Sequence, residues 1–205
     1  MKSGSKSPTR GRPRKFDKDA ALQLIVKVFW AKGYSGTSLD DLATATSLSR
    51  PSLYAAYGNK LSMYLAALEV FGQRMATEAV GALATGHDLH QGLLNFYEAA
   101  LDIYLGKQEE MARGCLVFTT AVTEATNEPE IRAMVQAQLT GMDQAVKAHI
   151  AKRAPNADGP AITSAADLAT GTLLNLATRA RAGTPRSVLS EIARTTATTI
   201  EKLIK

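Results

Sequence analysis

Polar side chains suited to contact nucleic acid are concentrated between residues 49 and 60. Ser49, Arg50 and Ser52 open a predicted helix, and Tyr54 follows one turn later. Short hydroxyls, a guanidinium and a phenol can bond to base edges and phosphate oxygens. Arg50 is the best single candidate for direct contact with a base. The alternative is an arginine on a solvated helix face.

Lys60 stands at the start of the next predicted helix, where the helix dipole disfavours a cation. Its position is explained if a phosphate group lies there, beside the unpaired backbone N–H groups. Tyr57 can add a phenol hydrogen bond to the same stretch of nucleic acid backbone, or can simply pack between two helices. We therefore interpret both residues as candidate phosphate contacts.

Three helices are predicted to position these groups. The second begins at Thr37 or Ser38, and the third is capped by Ser49, carries Pro51 in its first turn and runs to about Tyr57. Two short helices with a tight turn, braced by a longer one, predict a helix-turn-helix. The bracing helix is predicted from about Asp17 to Lys32, with a buried face of Ala21, Leu24, Ile25, Val28 and Phe29.

Beyond these elements the sequence predicts only helices, with no strand and no repeat, so the predicted fold class is all-α. A fourth helix runs from Lys60 to about Leu83. The expected organisation is a disordered basic arm (1–15), a helix-turn-helix domain (16–65) and a helical body (66–205). Further helices are predicted near 88–105, 113–126, 128–152, 163–182 and 185–204, with breaks at 106–107, 127–129, 154–160 and 183–185.

Charge is unevenly distributed along the chain. Residues 1–60 carry eleven Lys and Arg against four Asp and Glu, a net charge of +7, whereas the remainder has a net charge of −2. This asymmetry indicates a polyanionic partner for the first part alone. No apolar run approaches the ~20 residues of a membrane helix, no secretory signal is evident, and the single cysteine excludes an internal disulfide. These features are typical of a cytoplasmic protein.

The run GYSGTSLDDLA (33–43), followed by LSRPSLY (48–54) and YGNK (57–60), closely resembles the N-terminal domain of the TetR family of bacterial repressors. The resemblance covers about residues 17–65 and implies a dimeric, all-helical protein that binds DNA. The family commonly has His-Phe where this chain has Ala56 and Tyr57, so an imidazole contact with phosphate is absent. By position, the implied DNA contacts are Thr37, Ser38, Ser49, Arg50, Pro51, Ser52, Tyr54, Tyr57 and Lys60.

The leader resembles the basic arm that many members of this family carry. Arg10, Arg12 and Arg14 lie on a segment rich in proline and glycine. Guanidinium groups on a flexible segment can enter an adjacent minor groove of DNA. We expect this arm to add affinity rather than sequence selectivity.

The body is expected to bind a small-molecule effector, because most members of the family respond to one. Polar groups such as Tyr97, Tyr104 and Thr119 would orient a ligand in an otherwise apolar pocket. The alternative at every position is ordinary core. The candidate lining residues are Phe71, Tyr97, Leu101, Tyr104, Cys115, Phe118, Thr119, Val122, Met134 and Leu174.

The segment RGCL (113–116), followed by Glu124, resembles a branch of the family. Some members of that branch sense electrophiles or oxidants through the matching cysteine. Cys115, near a helix N-terminus and beside Arg113, could have a stabilised thiolate. The alternative is a small buried residue that only packs.

The last two predicted helices are interpreted as a homodimer interface. Residues 163–182 are rich in small side chains that let helices approach closely, and 188–203 carry an apolar stripe. Alternatively, both stripes pack only within their own body. No cofactor and no metal site is expected, because His87 and His90, with Asp88 between them, lie near a predicted loop. No phosphate-binding loop or catalytic triad is evident, so an enzyme is not expected.

Three hypotheses remain open. The leading one is a repressor that leaves a palindromic operator when a small molecule binds the body. The second is a repressor switched by oxidation or alkylation of Cys115. The third is an enzyme or small-molecule carrier without an operator. The match over residues 33–60 favours the first.

Overall fold

The computed structural model describes residues 17–106 and 113–205, and within these ranges the chain is helical, without a strand. The predicted all-α fold is confirmed. Arg10, Arg12 and Arg14 lie outside the described residues. No described helix is both long enough and apolar enough to cross a membrane. The α-helices are α1 (Lys18–Lys32), α2 (Leu39–Thr46), α3 (Arg50–Tyr57), α4 (Lys60–Arg74), α5 (Leu89–Leu105), α6 (Val122–Glu124), α7 (Pro129–Arg153), α8 (Gly159–Arg181) and α9 (Arg186–Leu203).

Helix α1 begins and ends where its sequence predicts. The Asp17 carboxylate accepts hydrogen bonds from two backbone N–H groups of the first turn. Gly33, with φ of 72°, ends the helix in a conformation that favours glycine. Ile25 and Phe29 are fully buried, but Leu24 is 37% exposed, so its predicted place on the buried face is wrong. Leu24 lies on the edge of the apolar stripe, beyond the reach of the neighbouring helices.

Helix α2 is joined to α1 by one carboxylate. Ser38 caps α2 by accepting the Asp41 N–H, and the Asp41 carboxylate accepts the Ser38 N–H at 2.9 Å. The same carboxylate accepts a hydrogen bond from Lys32 Nζ in the last turn of α1, at 2.5 Å. The bonds from Lys32 and Ser38 lower the pKa of Asp41 to about 2. Ionised Asp41 therefore links the end of α1 to the start of α2, in addition to the buried packing of the two helices.

The fourth helix departs from its prediction in its second half. The α-helix ends at Arg74, and the chain continues as a π-helical segment, Met75–Val80, and a short 3-10 turn, Leu83–Thr85. The prediction of a single α-helix from Lys60 to about Leu83 is therefore wrong. A π-helix uses the same residue types as an α-helix but places them at a wider turn. The apolar pattern in the sequence does not separate the two.

Two other boundaries also differ from the prediction. Helix α8 begins at Gly159 with Pro160 in its first turn, because Asp158 caps it by accepting the Ala161 N–H. The predicted break at 154–160 is thus too long by two residues. The segment before α6 is not helical from Arg113; the helical turns begin at Leu116 and include a π segment, Val117–Ala121.

The body is built around α5, which packs against α8, α9 and the π segment after α4. Phe96, Tyr97 and Tyr104 of α5 are fully buried. The Tyr97 hydroxyl donates a hydrogen bond to the Ala169 carbonyl oxygen of α8 at 3.1 Å. That bond satisfies the one polar atom of a deeply buried side chain and fixes α8 against α5.

A set of hydrogen bonds joins α1 to the body; we call Trp30, Gly114 and Arg181 the junction network. Trp30 Nε1 donates to the Gly114 carbonyl oxygen at 2.9 Å. Arg181 donates to the carbonyl oxygens of Trp30 and Ala31, at 3.2 and 3.3 Å, and to that of Arg113 at 2.9 Å. Gly114 has φ of 63°, and a Cβ there would collide with the Ala177 carbonyl. The C-terminal end of α1 is thus held by α8.

We predict that Asp41→Asn lowers the thermal stability of the protein near neutral pH. The pKa of Asp41 is lowered in the fold, so its ionised form contributes stability above about pH 4, and that contribution is lost as pH falls toward 2. The melting temperatures of the two proteins should converge over this interval. Melting curves recorded by circular dichroism from pH 7 to 2 check this, with exposed Asp143→Asn as the control. A constant difference at all pH values would contradict it.

Candidate nucleic-acid interface

The first turn of α3 is exposed on one side and anchored on the other. Leu53 is fully buried, whereas Tyr54 is 47% exposed. Ser49 caps the helix by accepting the Ser52 N–H, and the two serine hydroxyl oxygens are 2.9 Å apart. Because one hydroxyl donates to the other, the pair keeps one O–H free for an external acceptor. Pro51 is exposed and fits the first turn because no N–H is needed there.

Arg50 is held by a residue that the sequence analysis did not single out. Its Nε and Nη2 donate to the two carboxylate oxygens of Asp40, at 2.8 and 2.6 Å. Both side chains are more than half exposed, so water screens the pair. The remaining guanidinium donors point at no described acceptor. Asp40 thus holds the Arg50 side chain extended along the surface. A phosphate or a base of nucleic acid can replace Asp40 as the acceptor of these two hydrogen bonds. Asp40 and Arg50 are ten positions apart, on either side of a turn, so no local sequence pattern predicts that they pair.

The two predicted contacts at the start of α2 lie in different environments. Thr37 is buried, and its hydroxyl donates to the Gly33 carbonyl oxygen at 2.6 Å. Its predicted availability to a nucleic acid therefore does not fit the structure, because the hydroxyl completes the turn after α1. Ser38 is exposed and caps α2, so of the two predicted cap residues, Thr37 and Ser38, the second is confirmed.

Tyr57 and Lys60 both have partners within the protein. The Tyr57 hydroxyl donates to the Lys18 carbonyl oxygen at 2.6 Å, which leaves only its lone pairs for an outside donor. Lys60 Nζ lies 4.4 Å from the centre of the Tyr34 ring. This cation–π contact explains a lysine at a helix start without a phosphate. Since Nζ has three donors and an aromatic face takes only one side of it, Lys60 can still contact a phosphate.

A cavity of about 420 Å³ lies in the body between α4, both π segments and α7. Of the residues predicted to line a pocket, Phe71, Cys115, Phe118 and Met134 do so. A volume of this size is typical of small-molecule sites. π-Helical turns often occur beside functional sites. The other lining residues were not predicted from the sequence: Glu69, Gly72, Gln73, Met75, Ala76, Val80, Val117, Gln138, Gly141, Met142 and Ala145.

The remaining predicted lining residues lie elsewhere. Tyr97, Leu101 and Tyr104 are fully buried in the core around α5. Val122 and Leu174 are 48% and 39% exposed on the surface. Thr119 donates its hydroxyl to the Cys115 carbonyl oxygen of its own helical turn. None of these lines the 420 Å³ cavity.

Gln138 is the polar group that the sequence analysis overlooked. Its Nε2 donates to the Leu68 carbonyl oxygen of α4 at 2.8 Å, and Gly72 leaves the room that its amide needs. Glu69 is the one charged side chain among the described lining residues. The cavity is therefore suited to an apolar molecule that is neutral or positively charged. A single glutamine on a mostly exposed helix gives no sequence signal of such a contact.

Cys115 lies at the wall of this cavity but is 2% exposed. Burial raises the pKa of its thiol to about 12. A thiol with so high a pKa is almost entirely protonated at neutral pH, and the thiolate is the reactive form. The predicted stabilisation of the thiolate by Arg113 and the helix start is therefore opposed by desolvation.

The histidines give no indication of a metal site. Asp88 caps α5 by accepting the Gln91 N–H at 2.8 Å, and His87 beside it is exposed. Within residues 17–106 and 113–205, no three His, Cys, Asp or Glu side chains are grouped as metal ligands would be.

Comparison with known proteins relates the chain to a family. Residues 21–67 match the family of bacterial regulatory proteins named after tetR. The chain is 27% identical over 201 residues to the transcriptional repressor ComR of Escherichia coli K12, with 96% of this chain and 95% of ComR covered. It is also 27% identical over 150 residues to the transcriptional activator FasR of Mycolicibacterium smegmatis, with 70% of this chain and 65% of FasR covered.

Solved structures agree with this relationship. The chain superposes with a TM-score of 0.82 and 26% identity on a cysteine mutant of the regulator CifR in complex with a 26-base-pair operator DNA. The superposition covers 92% of this chain and 98% of CifR. Residues 21–67 thus match the TetR family of bacterial regulatory proteins, and over most of its length the chain is similar to a TetR-family transcription regulator solved with operator DNA.

We predict that the native protein is nearly inert to thiol reagents at neutral pH. Cys115 is the single cysteine, so labelling with Ellman's reagent reports on it alone. Burial and the raised pKa of the thiol should slow the reaction by more than an order of magnitude relative to the denatured protein. Equal rates in the native and denatured states would contradict this and would support the covalent switch.

Proposed function

We propose that this protein is a transcriptional repressor that binds a palindromic operator as a homodimer and leaves it when a small molecule enters the 420 Å³ cavity. The observation that carries the proposal is the position of α4. Lys60, a candidate phosphate contact, is its first residue and follows the end of α3 after two residues, and Glu69, Phe71 and Gly72 near its end form part of the cavity wall. One helix thus joins the DNA-binding surface to the ligand site.

The domain boundary that we propose lies within α4, between residues 60 and 74. Residues 16–65 then form the helix-turn-helix domain, and residues 66–205 form the ligand-binding and dimerisation domain. Two such DNA-binding domains must lie about 34–36 Å apart to enter successive major grooves. A ligand that moves α4 changes this distance, and reciprocal linkage then requires weaker operator binding.

The homodimer is proposed to form through α8 and α9. These helices pack on each other, and many of the small residues predicted for the interface, such as Ala169 and Ala177, are already buried within one chain. Large apolar side chains nevertheless remain exposed on both helices. They are Leu168, Leu174, Val188 and Leu203, which are 37% to 46% exposed. A second copy covering these residues would form a four-helix interface.

Relatives support the direction of regulation. ComR, which matches this chain over nearly its full length, is named a repressor, and CifR was solved with operator DNA. FasR, named an activator, aligns over a smaller share of the chain. Repression is therefore the function that we assign, in the cytoplasm, where the bacterial chromosome lies.

The proposal predicts a symmetric footprint on DNA flanking the protein's own gene. A small apolar molecule that binds the cavity should remove the protection. Arg50→Ala should weaken operator binding by about 1–3 kcal/mol, or about five- to 150-fold in Kd, and relax selectivity at one base pair of each half-site. Binding is measured by gel shift at fixed salt concentration, with exposed Lys147→Ala on α7 as the control for lost charge. Unselective binding by the unaltered protein would refute the proposal.

A separate prediction concerns the junction network. Arg181→Lys keeps the charge but loses the planar fork that bonds three carbonyl oxygens, so α1 should be held less firmly against α8. We expect lower operator affinity and a smaller effect of the ligand on that affinity. The control is Arg179→Lys, two residues away on the same helix, where the side chain bonds only to Asn175. An unchanged ligand effect in Arg181→Lys would contradict the coupling.

A further inference from the structure

A second cavity, of about 380 Å³, lies where α1 meets α4, α5 and the chain after residue 113; we call it the junction pocket. Its walls include Lys27 and Trp30 of α1, Arg74 of α4, Tyr104 of α5, and Arg113. It is distinct from the 420 Å³ cavity, with which it shares no lining residue among those described. Its chemistry is also different, since its lining includes three cations, Lys27, Arg74 and Arg113, whereas the described lining of the 420 Å³ cavity includes none.

The charges of the junction pocket are not balanced. Asp102 is the one acidic residue of its described lining, and that carboxylate already pairs with Arg186 at 2.6 Å. Arg74 pairs with Glu78 at 3.0 Å. Lys27 and Arg113 form no ion pair with any residue in the described ranges. Two positive charges therefore face the pocket without a counter-charge.

One buried polar group at this site lacks a partner. Among the residues that the structure describes, Arg113 Nε is buried and has no hydrogen-bond acceptor, and the guanidinium carbon lies 5.8 Å from the centre of the Trp30 ring. A buried donor without an acceptor costs about 1–3 kcal/mol, so such groups in a folded protein usually have a function or a missing partner.

We propose that the junction pocket binds a small organic or inorganic anion, a carboxylate or a phosphate. One oxyanion can accept from Arg113 and neutralise Lys27, while Trp30 offers the edge of an aromatic ring to an attached organic group. Because Lys27 and Trp30 belong to α1 and Arg113 belongs to the body, the anion bridges both sides of the junction network. The pocket is thus a second regulatory site, different in position and in ligand chemistry from the apolar cavity.

Trp30 provides a direct assay, because it is the single tryptophan of the chain and lines the pocket. The full-length protein is titrated with inorganic phosphate and with benzoate at constant ionic strength, and with benzamide as the uncharged analogue of benzoate. We expect a saturable change in tryptophan fluorescence with phosphate or benzoate and none with benzamide. A response to one anion alone identifies the preferred headgroup. No saturable change with either anion would overturn the proposal.

Charge-removing variants localise the effect. Lys27→Gln and Arg113→Gln should each raise the Kd for the anion at least tenfold, whereas Lys147→Gln should leave it unchanged. Equal affinity in all three variants would overturn the proposal. Lys27 is exposed, so its variant tests the pocket even if Arg113→Gln fails to fold. Gel shifts on the same proteins report operator binding separately, so failure of the anion site and failure of the repressor function are distinguished.

Discussion

The position of the DNA-binding helices depends on how Arg181 holds the end of α1. The last carbonyl groups of a helix carry partial negative charge and lack partners within the helix. A guanidinium placed against them is therefore favoured both by its positive charge and by the hydrogen bonds that it donates. Here that guanidinium comes from the end of α8 and also bonds the chain at Arg113. Trp30 completes the contact through Gly114, where only a residue without a Cβ fits. Movement of α8 or of the segment at 113–116 therefore reaches α1 directly.

Two cavities of different character adjoin this arrangement. The larger one is apolar, touches both π-helical segments and has Glu69 as its charged group. The smaller one gathers Lys27, Arg74 and Arg113 around Trp30. Under the proposed function, a ligand in the first cavity would act on the DNA-binding surface along α4, whereas the second cavity lies at the junction network itself. Two ligands would then be combined as signals, because each would bias the same position of α1 to α3.

The accuracy of the sequence predictions follows the range of the interactions involved. Helix ends were predicted within a residue or two at the local caps Asp17, Ser38 and Gly33, although the cap at Asp158 was not recognised and the start of α8 was predicted four residues too late. Tyr97 and Tyr104 were predicted to line the ligand pocket, but they lie in the core. The prediction was wrong because an apolar stripe in the sequence does not show which neighbouring element packs against it. The π segments were missed for a similar reason, since their apolar residues fit an α-helical pattern as well.

The sequence by itself determined the all-α fold, the Ser38 and Ser49 caps of α2 and α3, and the exposure of Pro51 and Tyr54 on α3, because these depend on residues within a few positions of one another. Tertiary structure alone decided that Asp40 holds Arg50, that Lys60 lies on Tyr34 and that Gln138 meets α4. It also decided the location of both cavities. Such contacts join residues from 10 to more than 150 positions apart, and their geometry is set by helix packing rather than by any local pattern.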